Sequence, residues 1–163
     1  LPIIVRMEIP KSLPEGSVVY LQNVVTDLIM GLKNGDKILN CYINSVRSMG
    51  YRPGLITLNP TNLIEGLKKN HSQDEVFLCF NINYSGFNVF PSVSKVEEAI
   101  FDAKETTKWK LMGMSVFSSG SKGVSIKESI AYIKSLQLDY VVFGSSKLSN
   151  IENNKVQFLD QNI

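Results

Sequence analysis

The apolar residues of this chain fall into short runs that are separated by longer amphipathic stretches. Runs that are apolar at nearly every position are typical of parallel strands, because both faces of such strands are covered. The pattern therefore predicts a parallel sheet rather than an antiparallel one, in which apolar and polar positions alternate. Five runs have the length of strands: residues 2–9, 54–59, 75–83, 111–117 and 139–144.

The stretches between these runs carry the periodicity and the end signals of helices. Asn59 precedes a proline that can occupy the first helical position, and Ser94 and Ser125 each stand three residues before a glutamate, as in a capping box. The order of elements is then β-αα-β-α-β-α-β-α-β-α, which predicts a single α/β domain. The helices are expected over residues 18–32 and 36–50, and after Asn59, Ser94 and Ser125.

Glycine and serine follow the last two predicted strands, in the loops Ser118-Ser119-Gly120 and Gly144-Ser145-Ser146. The turn after the first predicted strand, residues 8–11, contains no glycine, although doubly wound phosphate-binding folds usually have one there. Small-residue loops after strands 7 and 8 are typical of (β/α)8 barrels. We therefore expect a TIM-barrel type of fold, of which this chain covers about the last five βα units. The alternative is an open doubly wound parallel sheet.

The chain begins at Leu1 and enters an apolar run at once, which predicts a fragment of a longer protein. Five strands of a barrel would leave two exposed strand edges, and exposed edges invite pairing with another chain. We therefore expect either a homodimer or a missing N-terminal half that covers these edges.

Composition excludes several functions and partners. The chain has 17 basic and 15 acidic residues, spread along its length, so it carries no basic patch for nucleic acid. No stretch approaches the roughly 18 apolar residues of a membrane span. Cys41 and Cys79 lack the spacing of metal ligands, and we expect buried free thiols in a reducing cytoplasm. The only histidine, His71, is predicted to lie on the surface and outside any catalytic site.

Catalytic residues of barrels lie at the carboxyl ends of the strands. This rule selects Arg6 and Glu8, which would share one face of the first strand, with Glu8 as a general base. The alternative is a pair that faces water or forms a structural ion pair. The rule of strand ends also selects Asn81 and Asn83, whose amides need partners within an apolar strand.

The same strand ends predict an anion site. Gly144, Ser145 and Ser146 lead into a helix that starts near Leu148, and backbone N–H groups at a helix start attract anions. Ser118 and Gly120 on the neighbouring loop would face them and would allow a close backbone approach. We predict phosphate or carboxylate binding here, the alternative being that the small residues only form tight turns. The residues indicate no metal ligands and identify no cofactor.

Several stretches together resemble the C-terminal part of archaeal TIM-barrel proteins that have no assigned function. The similarity spans about residues 50–155, and Asn83–Phe87 with Pro91-Ser92 and Met114-Ser115 are its most specific parts. It implies a fold and no reaction. The stretches are PGLITLNPTNLIEGL, FNINYSGFNVFPS, LMGMSVFSSGS, SIKESIAYIKSL and VVFGSSKLSNI.

The segment GSSKLSNIENNKVQFLD is similar, more weakly, to the end of aldo-keto reductase barrels. In those enzymes a serine and a basic residue after strand 8 hold the phosphate of the cofactor, and an Ile-x-Glu-Asn sequence follows. Ile151-Glu152-Asn153 lacks the intervening residue, and the catalytic residues of the reductases lie in the first half of their barrel, which this chain does not contain.

Three functions follow as hypotheses. The first is an enzyme of TIM-barrel type that acts on a small phosphorylated or carboxylated metabolite. The second is an NAD(P)H-dependent oxidoreductase of the aldo-keto type, and the third is a non-catalytic half-barrel or assembly module.

Overall fold

The computed structural model describes residues 2–118 and 125–160 of the chain. Strands and helices alternate through these ranges as the sequence pattern predicts, with an additional helix at the start. The elements are α1 Pro2–Glu8, β1 Val18–Leu21, α2 Asn23–Met30, α3 Gly35–Ser48, β2 Arg52–Thr57, α4 Pro60–His71, β3 Phe77–Asn81, α5 Val93–Thr106, β4 Lys110–Met114, α6 Ile126–Ser135, β5 Tyr140–Val141 and α7 Leu148–Leu159.

The five strands form one parallel sheet in the order β1-β2-β3-β4-β5. Leu55 of β2 lies opposite Leu78 of β3, which lies opposite Leu111 of β4. The predicted sequential order of the last four strands is therefore confirmed. The sheet is open, with β1 and β5 at its edges, and its strand order does not show the reversal that defines a doubly wound sheet.

Helices cover one face of this sheet and form the main core with it. The helices α3, α4 and α5 lie side by side, and alternate strand residues such as Leu55 and Leu78 point toward them. Burying a leucine side chain completely contributes roughly 1.5–3 kcal/mol of transfer free energy, so this layer holds the sheet in place. Fully buried helix residues that share the core include Leu39, Ile43, Leu63, Leu67 and Ile100.

The prediction of a strand over residues 2–9 is wrong, because Pro2–Glu8 forms helix α1 and packs against α3. The first strand is Val18–Leu21, which pairs with β2 and occupies the edge of the sheet. With that edge taken, residues 2–8 satisfy their backbone groups within a helix, and the helix ends two residues before Pro10, as the residue before a proline disfavours the helical region. The helix predicted over residues 18–32 is accordingly shortened to Asn23–Met30.

Helix caps account for two of the predicted helix starts and correct a third. The Asn59 side chain accepts a hydrogen bond from the Asn62 backbone N–H at the start of α4, and Ser125 accepts one from Glu128 at the start of α6. The α5 helix begins earlier than the predicted capping box at Ser94. Its cap is Ser92, whose hydroxyl accepts from the Lys95 backbone N–H.

The opposite face of the sheet, which we call the second face, carries Tyr20, Cys79 and Met112 among others. The Tyr20 hydroxyl donates to Met112 Sδ at 3.7 Å, although β1 and β4 lie three strands apart. Three strand spacings of about 4.8 Å would separate them by about 14 Å in a flat sheet. The two long side chains therefore reach toward each other across this face, and the Tyr20 ring lies over Gly54, where an added Cβ would come within 2.5 Å of the ring.

Burial on the second face raises the pKa of the Tyr20 hydroxyl to about 12 and that of the Cys79 thiol to about 11. The Cys79 side chain is a buried free thiol, as predicted, and Cys41 is free but only half-buried. A thiol with a raised pKa is protonated at neutral pH and is a weak nucleophile, so Cys79 acts as a small apolar residue here.

The prediction that His71 lies on the surface is wrong, because its side chain is only 5% exposed. Its Nδ1 donates to Asp74 Oδ2 at 2.7 Å, and its Nε2 lies 2.8 Å from Asn40 Oδ1. Trp109 closes the cluster by donating from Nε1 to the His71 carbonyl at 2.8 Å. His71 therefore connects the end of α4 to α3 and to the start of β4.

This cluster predicts a pH dependence of stability. The hydrogen bond from His71, together with Arg47 2.7 Å away, lowers the pKa of Asp74 below its ordinary value of 3.8. A carboxylate with a lowered pKa stabilises the fold above about pH 4 and loses that contribution as the pH falls through its folded-state pKa. We expect Asp74→Asn to lower the urea midpoint at pH 7 and to lower it less at pH 3.

The matched control is Glu105→Gln, which removes an exposed carboxylate from α5. Its urea midpoint should stay close to that of the parent at both pH values. A difference between parent and Asp74→Asn that does not shrink on acidification would show that the Asp74 charge contributes nothing to stability.

Candidate functional site

The principal concave site lies between the carboxyl ends of β4 and β5. We call it the β4–β5 cleft: its walls are residues 114–117 after β4, residues 142–146 after β5, and side chains of α6 and α7. Its volume is about 1030 Å³, which is at the upper end of the range for small-molecule sites. Ligands of parallel α/β folds bind outside the carboxyl ends of the strands, so this cleft has the expected position.

The loop Gly144-Ser145-Ser146, which the sequence selects as an anion site, lines this cleft. The Ser145 hydroxyl accepts hydrogen bonds from the Lys147 backbone N–H at 3.2 Å and from the Asn150 amide at 3.3 Å. These contacts hold the loop against the first turn of α7. A Cβ added at Gly144 would meet no atom within 4 Å, so packing does not require glycine there and the space beside its backbone is open.

Two polar side chains in the cleft are buried, and one of them lacks a hydrogen-bond partner. Ser129 on α6 is 1% exposed, and its Oγ has no hydrogen-bond partner among the described residues. Asn154 on α7 is 7% exposed and lines the same cleft. A buried polar group that lacks a partner costs about 1–3 kcal/mol. Because both residues line one cleft, a single ligand can contact both.

The inward face of α7 was missed as part of the site in the interpretation of the sequence. Asn150, Asn153, Asn154 and Gln157 all line the cleft and follow the spacing i, i+3, i+4, i+7. That spacing normally marks the apolar face of a helix that packs on a core. A stripe of carboxamides at these positions was therefore the available signal. Ser129 gave no comparable signal, because a single serine in an amphipathic helix is unremarkable until its neighbours are known.

Asn81 and Asn83 lie beside the cleft, in a hydrogen-bonded group that we call the strand-end network: Asn81, Asn83, Ser85, Ser115 and Ser118. Ser115 donates to Asn81 Oδ1 at 2.8 Å, and Ser118 donates to Asn83 Oδ1 at 3.1 Å. Ser85 Oγ lies 2.7 Å from Ser118 Oγ. The network joins the end of β3 to the turn after β4.

The same two amides also fix the loop after β3. Asn83 donates to the Phe87 carbonyl at 2.8 Å and accepts from the Phe87 N–H at 2.9 Å. Asn81 donates to the Asn88 carbonyl at 3.1 Å. The two amides thus find partners in the protein itself, and their predicted catalytic role stays a prediction.

The turn after β4 has a left-handed backbone at two serines. Ser115 has a φ of 58° and Ser118 a φ of 52°. This conformation costs an L-residue roughly 1–2 kcal/mol. Both side chains belong to the strand-end network, and their hydrogen bonds to Asn81 and Asn83 offset that cost. Because Ser115 also lines the β4–β5 cleft, the network fixes one wall of the cleft.

Two of the predicted site residues, Arg6 and Glu8, do not lie at a strand end. Arg6 and Glu8 are exposed on helix α1, so the reason for placing them at the mouth of a barrel is removed. The strand predicted there gave them a common face, and the observed helix does not. Gly120 lies outside the described residues.

A second polar group that the sequence did not indicate lies at the end of β2. Asp27 of α2 accepts from the buried Thr57 hydroxyl through Oδ1 and from the Leu58 backbone N–H through Oδ2, the latter at 2.9 Å. These contacts tie α2 to the sheet, so both carboxylate oxygens have structural partners.

Within residues 2–118 and 125–160, no three His, Cys, Asp or Glu side chains are grouped as a metal site would require. None of the described side chains that line the β4–β5 cleft is charged. Over the same ranges, no helix combines the length and the apolar character needed to cross a bilayer.

Comparisons with protein-family models, with curated proteins and with solved structures find no match to this chain. The resemblance to archaeal TIM-barrel proteins and to aldo-keto reductases therefore stays a prediction.

Proposed function

We propose that this chain belongs to an enzyme of TIM-barrel type and binds a small phosphorylated or carboxylated metabolite in the β4–β5 cleft. The observation that carries the proposal is the position of the loop Gly144-Ser145-Ser146. It lies against a large cleft at the carboxyl ends of parallel strands and leads directly into α7.

The sheet supports the barrel part of this proposal. Strands in strictly sequential order, with neighbouring helices on one face, are the arrangement found along the wall of a barrel. The contact between Tyr20 and Met112, which links β1 to β4 on one face, is compatible with a sheet that curves toward that face, as the wall of a barrel does.

The start of α7 supports the ligand part. The first N–H groups of a helix have no partner within the helix, and the helix dipole favours negative charge at this end. The α7 helix has 12 residues, and its first turn contains no acidic residue. An anion bound here would be held by backbone N–H groups and serine hydroxyls, with no need for a charged side chain in the cleft.

Replacing Ser145 with aspartate tests the anion site. The carboxylate can still accept from the Lys147 N–H and the Asn150 amide, so the fold should be retained. A fixed negative charge at the mouth of the cleft should weaken the binding of inorganic phosphate by about tenfold or more, equivalent to about 1.4 kcal/mol. Isothermal titration calorimetry of parent and variant against phosphate measures this change.

The matched control is Ser94→Asp, which adds the same charge to the first turn of α5. Phosphate binding should be unchanged in this variant. If Ser145→Asp binds phosphate as tightly as the parent does, the loop is a plain turn and the proposed site is wrong. A parent chain that binds NADPH, with no affinity for phosphate or for small carboxylates, would instead favour the aldo-keto hypothesis.

A further inference from the structure

The α7 helix turns amides toward the cleft while it exposes apolar side chains. Leu148, Val156 and Leu159 are each more than 60% exposed, whereas Asn154 is almost fully buried. Burying apolar surface is the main source of helix stability in a folded domain, and α7 obtains it through Phe158, whose ring packs against Phe117 and Phe143. Apolar packing does not account for the buried amide of Asn154, which is suited to a polar ligand.

The polar side chains that line the cleft share one chemical property. Carboxamides and hydroxyls each donate and accept hydrogen bonds, and the described lining contains no charged side chain. Ser129 on α6 is buried with an Oγ that has no partner among the described residues, and Asn154 on α7 is buried in the same lining. Hydroxyl groups of a ligand also donate and accept, so a row of them matches this lining better than an aliphatic or a highly charged ligand does.

We infer that the ligand of the β4–β5 cleft has a polyhydroxylated carbon skeleton, as in a sugar phosphate or a sugar acid. The inference rests on the proposed function, which assigns the anionic group to the loop Gly144-Ser145-Ser146. The hydroxyl groups then extend along α7 and bond to the amides of Asn150, Asn154 and Gln157 and to Ser129. Phe117 and Phe143 supply apolar surface for the C–H groups of the skeleton.

The test compares ligands that carry the same charge and differ in their hydroxyl groups. Calorimetry of the parent chain uses inorganic phosphate, a panel of aldose and ketose phosphates of four to six carbons, butyl, pentyl and hexyl phosphate, and adenosine monophosphate. A six-carbon sugar acid and hexanoate form the corresponding carboxylate pair. We expect at least one sugar phosphate to bind ten times or more tighter than the alkyl phosphate of equal chain length.

Two variants connect the preference to named side chains. Asn154→Leu and Ser129→Ala should each reduce the affinity for the preferred sugar phosphate at least fivefold and leave the affinity for inorganic phosphate unchanged. Ser129→Ala removes a buried hydroxyl that has no partner among the described residues, so its melting temperature without ligand should be retained or rise by about 2–4 °C, and that of Asn154→Leu should be retained. A variant that merely damaged the fold would lower it. The control is Asn62→Leu, the same substitution at an exposed position of α4.

The outcomes separate the two proposals. If phosphate binds and the sugar phosphates bind no tighter than the alkyl phosphates, the polyhydroxylated ligand is excluded and the anion site stands. If adenosine monophosphate binds tightest, the amides select a base and the inference is overturned. If neither the phosphates nor the carboxylates bind, the proposed function fails and the inference fails with it.

Discussion

Replacing Phe80 with alanine should lower the free energy of unfolding by about 3–5 kcal/mol. Phe80 is fully buried in the central strand β3, between Thr57 of β2 and Gly113 of β4. Gly113 has no side chain that could fill the cavity, so the space left by the ring would stay largely empty. Urea denaturation followed by circular dichroism measures the loss.

Phe101→Ala is the matched control, because Phe101 lies on α5 with 48% of its surface exposed. The same change of residue there should cost less than about 1 kcal/mol. Equal losses in the two variants would mean that the core does not centre on β3 as the structure has it.

Replacing Asn83 with leucine should lower the free energy of unfolding by about 2–3 kcal/mol, because several polar groups would lose their partner at once. Leucine has a similar volume, so the cost comes from hydrogen bonds rather than from a cavity. The groups affected are the N–H and C=O of Phe87 and the hydroxyls of Ser85 and Ser118. The midpoint of guanidinium denaturation, measured at constant slope, gives the change.

Asn62→Leu again serves as control, since Asn62 is exposed and only its backbone N–H takes part in the cap of α4. Its midpoint should stay near that of the parent. Should Asn83→Leu be as stable as Asn62→Leu, the strand-end network contributes nothing to stability, and Asn83 would return as a residue free to serve a ligand.

The later strands could be predicted from sequence because their signals are local. Residues 77–81 are apolar at all but the last position, and the helices around them begin at residues that cap through their own side chains, such as Asn59 and Ser125. The first strand could not be predicted in this way. Residues 2–9 and 18–21 are both apolar and rich in branched side chains, and pairing with β2 decides which of them joins the sheet.

The candidate site was predictable to a similar extent. Gly144, Ser145 and Ser146 are adjacent in sequence and follow a strand, so their position at the cleft follows from the general rule for parallel sheets. Ser129 and Asn154 are 25 positions apart, and their burial in one cleft depends on how α6 and α7 pack. The prediction that His71 lies on the surface failed for the same reason, because Asn40 and Trp109 contact it from distant parts of the chain.

The strand-end network also decides which parts of the molecule open together. Local unfolding proceeds in cooperative units, and the boundaries of these units follow shared contacts. Asn81 and Asn83 donate hydrogen bonds to backbone carbonyls of the loop after β3. The oxygens of the same two amides accept hydrogen bonds from the serine hydroxyls of the turn after β4. Ser85 on that loop also donates to Ser118 on the turn, so opening either segment breaks a hydrogen bond of the other, and we expect the two to open as one unit. A ligand that contacts Ser115 would therefore protect the loop after β3, which it does not need to touch.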